Sequence, residues 1–351
     1  MKTCLMNGVK ILKATAKAHT NIALIKYWGK RNDRLILPTN SSLSVTLDRF
    51  YTVTTVDFDK ERTEDVFYLN GELAPEKETK KVSTYLNKVR EFAGVELFAS
   101  VFSENHVPTA AGFASSASGY AALSAASTKA IGLNLTPREL SQFARIGSGS
   151  ACRSIYGGYV EWQMGEKNDG SDSYAVPLLD GKEFPIAVLS VMVNASEKKV
   201  LSREGMKRTV ETSPFYQGWL ESAEKELVEM KHALTLRDFT RLGTIAEKNA
   251  LKMHATTLGA DPPFLYWQSG TLQVMDAVEN LRSKGLEAYF TIDAGPNVKV
   301  LCQPSDVEKI TAQLKEVPSV QHIYPCQPGP GVTYLDGVHI ADVNNRGDLD
   351  G

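Results

Sequence analysis

Residues 108–133 read PTAAGFASSASGYAALSAASTKAIGL. The stretch opens on proline and a run of small residues, then turns into an alanine- and serine-rich segment of helical composition. Small side chains let backbone approach a ligand closely. Ser115 and Ser116 stand where the helix begins. A helix start offers unpaired N–H groups and the positive end of the helix dipole, which suits phosphate. A plainer description also fits, a serine-capped and tightly packed helix, and composition alone does not separate the two. Neither GxxxxGK[ST] nor GxGxxG is present here, and Gly147-Ser148-Gly149 runs on to Cys152 where a dinucleotide fingerprint needs glycine.

Upstream, Lys10–Ala18 alternates in part, Ile22–Trp28 is apolar and aromatic around Lys26, and Ser44–Asp57 is β-rich. Phe67–Leu69 leads into Asn70-Gly71, a strong hairpin signal. A helix is expected over Lys77–Phe92, with Val82, Leu86 and Val89 on one stripe, and a strand over Val95–Ser103. Downstream, Thr136-Pro137 starts a short helix through Arg145, and Tyr156–Gln163 and Phe184–Val193 read as strands. Phe215–Ser283 is helical in about three segments. Glu287–Asp293 and Val298–Cys302 are strands joined by Ala294-Gly295-Pro296-Asn297, and Ser305–Leu314 is a last helix. The expected fold class is α+β in two lobes, 1–193 and 194–335, followed by a polar tail over 336–351 that reads as disordered.

The 351 residues hold 39 Lys+Arg against 41 Asp+Glu, a net charge of −2. No global basic excess argues for nucleic acid, so any anion site must be built locally. Cys4, Cys152, Cys302 and Cys326 form no CxxC pair, and no histidine stands at zinc-ligand spacing from them. Reduced thiols in a cytoplasmic protein are expected, with no zinc site or disulfide scaffold. No apolar leader core is visible and no run of about 18 apolar residues occurs, so neither a signal peptide nor a membrane span is expected.

PxxxGxxSS followed by small residues resembles the phosphate-binding motif of GHMP kinases. Three further blocks narrow the likeness. Asn21–Arg31, NIALIKYWGKR, continued by Leu37–Ser44, LPTNSSLS, resembles the N-terminal signature of mevalonate diphosphate decarboxylases. Gly147–Ser154, GSGSACRS, and Asp293–Asn297, DAGPN, are two more blocks of that family. All occur in the family's order across most of the chain. His19-Thr20 stands where eukaryotic members carry proline, as fits a bacterial branch, and Leu201 departs from the paired hydroxyls often found beside Ser202.

The resemblance implies a GHMP fold, ATP with Mg²⁺, and phosphorylation of a tertiary alcohol on mevalonate 5-diphosphate followed by loss of phosphate and CO2. It assigns Asp293, Lys26 and Arg153 to catalysis. Substrate contacts fall to Tyr27, Lys30, Ser148, Gly149, Arg153 and Ser202, and nucleotide contacts to Ser103, Pro108, Gly112, Ala114, Ser115 and Ser116. An aspartate near its reference pKa of about 3.9 is a weak base in the ground state and accepts the alcohol's proton only late, as the loose phosphoryl-transfer transition state forms. A buried lysine beside it keeps it ionised, and the planar fork of Arg153 suits a carboxylate. Each residue also has a plainer reading: an Asx-turn for Asp293, an exposed strand charge for Lys26, a solvated turn for Lys30, helix caps for Ser148 and Gly149. No protein metal cage is visible, so Mg²⁺ is expected on phosphates and water. The basic runs Lys77–Lys81 and Lys198–Arg208 are expected as mobile segments that close over the triphosphate. A homodimer is implied by resemblance alone. The rivals are a small-molecule kinase of the superfamily, acting on mevalonate, phosphomevalonate or homoserine, and a non-catalytic ligand sensor of the same fold.

Overall fold

The computed structural model describes residues 12–107, 115–194 and 200–337. In chain order it runs β1 (Lys13–Ile25), β2 (Lys30–Asn32), β3 (Leu37–Pro38), β4 (Ser42–Asp59), β5 (Val66–Leu69), β6 (Glu72–Leu73), α1 (Glu76–Ala93) and β7 (Phe98–His106). Next come α2 (Ser115–Ala130), α3 (Pro137–Gly147), a 3₁₀ turn over Gly149–Ile155, β8 (Tyr159–Trp162), β9 (Ala175–Leu179) and β10 (Ala187–Met192). The chain continues with α4 (Ser202–Thr212), α5 (Tyr216–Leu236), α6 (Phe239–Leu258), α7 (Ser269–Ser283), β11 (Ala288–Ile292), β12 (Val298–Cys302), α8 (Val307–Lys315), β13 (His322–Cys326) and β14 (Thr333–Tyr334).

Among the described residues, eight strands make the first sheet, in the order β14-β1-β4-β7-β5-β6, with β8 and β9 attached through the first residues of β4. The long β4 takes β8 at Ser42–Val45 and β7 at Tyr51–Asp59. The register of β1 on β4 shifts twice, between His19 and Asn21 and between Ala23 and Ile25. Such irregularities bend a strand and re-aim its side chains, here in the Asn21–Lys26 block. A second sheet runs β11-β12-β10-β13. The division expected at residue 193 falls at the end of β10, whose partners β12 and β13 tie 187–192 to the second sheet. The chain end returns to the first sheet, where β14 pairs with β1.

Local chemistry accounts for the element ends. Asn70 and Gly71 both take positive φ, 53° and 83°, so β5 and β6 close in a tight hairpin. Thr136 and Glu139 form a reciprocal capping box with Pro137 in the first turn of α3. Helix α2 lies on β1 and β4, where Ala121, Ala122 and Ala125 meet Ala14, Ala16 and Ala18 in one core. Its buried hydroxyls are satisfied internally: Ser127 Oγ donates to Leu123 O at 2.6 Å and Thr128 Oγ1 to Ser124 O at 2.7 Å. This is how a serine-rich helix tolerates burial. A second core joins the sheets, with Ile22 and Leu24 of β1 packed among Leu227 and Met230 of α5, Leu242 and Ile245 of α6, and Val188 of β10.

Two expectations change. Lys77–Lys81, expected as a mobile basic segment, forms the first turns of α1, where Lys81 pairs with Glu78 at 2.6 Å. The described part of the second basic run is largely helix as well, since α4 starts at Ser202 and Arg208 pairs with Glu204 one turn away. Lys198 lies outside the described residues.

Candidate functional site

Lys26 sits one residue past the end of β1, where ladder pairing has stopped. Its side chain is buried, and Nζ donates to Asp293 Oδ1 at 2.7 Å and to Ala23 O at 2.9 Å. Asp293 follows β11 and opens the turn to β12. The two are 267 positions apart in sequence, so only the packing of the second sheet against β1 joins them. Burial holds the Lys26 ammonium below the usual lysine range, while the charge and hydrogen bond of Asp293 act the other way.

Both residues line a cavity of about 240 Å³. Of the residues expected to touch substrate, Tyr27, Lys30, Ser148, Gly149, Arg153 and Ser202 all line it. Among the described residues the cationic side chains there are Lys26, Lys30, Arg153 and Arg203, against the carboxylate of Asp293. A chain of net charge −2 thus builds a locally positive cleft. Arg153 is buried, with Nη1 donating to Ser42 Oγ at 2.6 Å, Nε to Ser44 Oγ at 2.9 Å and Nη2 to Asn21 Oδ1 at 3.1 Å. Neutral oxygens hold the guanidinium, and among the described residues two of its five N–H groups have no partner. Tyr27 Oη is buried without a hydrogen-bond partner among the described residues, and burial raises its pKa, so it stays a neutral donor. Lys30 pairs with the exposed Asp33 at 2.7 Å, a partner easily exchanged for an anion.

The nucleotide residues divide differently. Ser116 lines the cavity, and Ser148, whose backbone N–H caps the C-terminus of α3 on Ala144 O, places its Oγ 3.4 Å from Ser116 Oγ. Ser115 is the first residue of α2 and is exposed. Ser103 is placed elsewhere: it sits in β7 and shares a 2.7 Å hydrogen bond with Thr54 of β4. Pro108, Gly112 and Ala114 lie outside the described residues. Among the described residues no group of three or more His, Cys, Asp or Glu side chains is arranged to hold a metal.

The residues that sequence reasoning passed over come mostly from the helical block. Arg203 lines the cavity from α4 and donates to Gly147 O at 3.1 Å. Its position inside a basic run was the available signal. Asn249 accepts the Lys26 backbone N–H at 2.8 Å, and Asn40 Nδ2 donates to Lys26 O at 2.8 Å. His254 Nε2 lies 3.3 Å from Ile292 O, next to Asp293, and burial drives its pKa down to about 3. A folded-state pKa below the ordinary 6.5 means that the unfolded chain binds a proton the native chain does not. Stability therefore falls as pH drops from 6.5 towards about 3, and His19, lowered to about 4, acts in the same direction. Thermal melts across this window should show the fall, with a shallower slope in His254→Gln.

Gly29 supplies the turn between Trp28 and Lys30 at φ +115°. A Cβ there would lie 1.8 Å from Tyr216 Oη, which shares a 2.6 Å hydrogen bond with Thr39 Oγ1 and donates to Trp28 O at 2.8 Å. Gly29→Ala should cost at least about 2 kcal/mol in denaturant unfolding, from strain and overpacking together.

Comparison with known proteins agrees with this geometry. Residues 18–175 match the diphosphomevalonate decarboxylase-like N-terminal domain, and residues 188–328 the mevalonate 5-diphosphate decarboxylase C-terminal domain. The diphosphomevalonate decarboxylase of Bos taurus is 36% identical over 353 residues, covering 95% of this chain and 86% of that protein. The mevalonate diphosphate decarboxylase of Enterococcus faecalis superposes with a TM-score of 0.86 at 53% identity, over 92% of this chain and 99% of that one. A chain called MDDEF, solved with MVAPP, AMPPCP and magnesium, superposes with a TM-score of 0.87, also at 53% identity and the same coverage. The α+β architecture is the GHMP kinase fold that the motifs implied. With both halves matched and identity sustained along nearly its whole length, the chain belongs to the diphosphomevalonate decarboxylase family.

Proposed function

We propose that the chain converts mevalonate 5-diphosphate and ATP to isopentenyl diphosphate, ADP, phosphate and CO2 in the cavity around Lys26 and Asp293. The observation that carries this reading is the 2.7 Å Lys26–Asp293 contact inside a pocket whose other charged side chains are cations. Neighbouring cations favour the ionised form of a carboxylate, the form that can take a proton. In this reading Asp293 accepts the proton of the substrate's 3-hydroxyl as its oxygen bonds to the γ-phosphorus and the bond from the bridging oxygen breaks, so that ADP leaves with that electron pair. Lys26 keeps the carboxylate ionised and fixes its direction. Arg153 turns its two remaining N–H groups to the substrate carboxylate.

The new 3-phosphate then departs with the C–O bonding pair. The C–C pair of the carboxylate becomes the double bond, and CO2 leaves. Arg153 must loosen its hold as that charge disappears, so it orients more than it stabilises. Lys30, Tyr27, Ser148, Gly149 and Ser202 hold the diphosphate and carboxylate ends. The start of α2 at Ser115 and Ser116, with Pro108, Gly112 and Ala114 before it, cradles the nucleotide phosphates. Ser103 contributes from behind, through β7. Magnesium arrives on those phosphates and neutralises charge during transfer. The lobe carrying β1 and α2 supplies the phosphate cradle and the lobe carrying β11 supplies Asp293. Among the described residues no helix is long and apolar enough to cross a membrane. A cytoplasmic homodimer is part of the proposal, supported by the family alone.

Paired measurement of ADP and CO2 tests the reading. Mevalonate 5-diphosphate should yield both in equal amounts, and the monophosphate little of either. ADP without CO2 would make the protein a kinase; tight binding with neither product would make it a sensor.

A further inference from the structure

The Lys26 backbone is gripped on both sides by side chains from distant parts of the chain. Its N–H donates to Asn249 Oδ1 at 2.8 Å, and its C=O accepts from Asn40 Nδ2 at 2.8 Å. These bonds stand where the β1–β4 ladder has already ended, so no strand partner fixes this residue. Asn249 is fully buried on α6 and donates through Nδ2 to Glu226 Oε2 on α5 at 2.7 Å. The other oxygen of Glu226 accepts from Lys252, whose side chain is about half exposed. The direction of the Asn249 amide is settled at both ends, because a backbone N–H only donates and a carboxylate only accepts. The Lys26 N–H thus donates to Asn249, and Asn249 donates to a Glu226 carboxylate that also accepts from Lys252, which links α5 and α6 to the residue whose ammonium holds Asp293.

We propose that Asn249 is a positioning residue for phosphoryl transfer, acting through the Lys26 backbone, and that Glu226 sets its orientation. The proposal rests on the role given above to Lys26 and Asp293. Asn249 touches neither the cavity nor Asp293 in the contacts described, so its effect passes through Lys26. A misplacement of about 1 Å at a reacting group costs up to about a hundredfold in rate.

Three variants test it in the full-length protein, with mevalonate 5-diphosphate and ATP. Asn249→Ala should lower kcat by about 10- to 100-fold and leave KM within about threefold. Asn249→Asp keeps an acceptor for the Lys26 N–H but sets a second carboxylate against Glu226. A proton shared between the two relieves the repulsion, so its activity should fall as pH rises from about 6 to about 8. Asn249→Asp combined with Glu226→Gln reverses donor and acceptor along the link while preserving total charge. That pair should recover kcat to within about threefold of wild type and lose the added pH dependence. Thermal melts of each variant report folding alongside.

Wild-type kcat in Asn249→Ala overturns the proposal. So does a double variant no faster at pH 8 than Asn249→Asp alone. Turnover retained by Asp293→Asn would instead break the reading of the site. Loss in Asp293→Asn with ordinary kinetics in all Asn249 variants would sink only the positioning role.

Discussion

Asp293→Asn should lower kcat by about 10³-fold while substrate and nucleotide still bind within about threefold of their wild-type affinities. The substitution keeps the side chain's shape and an oxygen for Lys26 Nζ, but removes the lone pair that takes the alcohol's proton. Binding should survive because the proposed reading gives the anions to Lys30, Arg153 and the helix start at Ser116 rather than to Asp293. The stability of the variant carries its own signature. Lys26 is buried, and without the opposing carboxylate its folded-state pKa drops further below the unfolded value. Between those two values the unfolded chain holds a proton that the folded one has given up, so the variant gains stability as pH rises towards about 10. Wild type, whose ammonium is paired, should show a weaker rise. Single-turnover assays with calorimetric binding separate chemistry from affinity. Turnover within tenfold of wild type would remove Asp293 from the role of base.

Much of this arrangement is legible in the sequence because it is written in local chemistry. Asn70-Gly71 dictates a hairpin wherever it falls between apolar runs, and Thr136-Pro137 with Glu139 dictates a helix start. The cleft residues were marked by the family resemblance of four short blocks, each of which also had a plainer local reading. What stayed hidden depends on long-range packing. β13 carries Pro325 and exposes much of its surface, so it has neither a strand-like composition nor a clear alternation. β14 is two residues long and exists only because β1 offers an edge. Asn249 and Glu226 look like polar positions on amphipathic helices. Their burial, and the link they make to Lys26, appear only when α5 and α6 pack on β1. Ser103, placed by resemblance, stands in β7 with its hydroxyl on Thr54, a position that no local pattern in the sequence marks.

Arg153 should give the other large effect, with a different kinetic pattern. Its guanidinium is buried and held by Ser42, Ser44 and Asn21, none of which carries charge. The nearest carboxylate influence is that of Asp293, and burial is the dominant effect on its protonation. A buried cation with neutral partners is costly for the ligand-free fold. In the proposed reading, substrate brings the missing negative charge. Arg153→Met fills similar space without that charge, so the ligand-free variant should stay within about 1 kcal/mol of wild type in denaturant unfolding. Its kcat/KM should fall by about 10³-fold, with KM rising at least about tenfold, since the lost contact serves the bound ground state as well as the transition state. Arg153→Lys should recover little, because an ammonium on a different stem cannot reach two serines, an asparagine and a carboxylate in one plane. The clearest readout is ligand-induced stabilisation: one fixed, high substrate concentration should raise the melting temperature of wild type and of Asp293→Asn, and that of Arg153→Met by less, because a tenfold weaker affinity removes about 1.4 kcal/mol of the stabilisation. An Arg153→Met protein that substrate stabilises as strongly as wild type would show that the carboxylate is held elsewhere in the cleft.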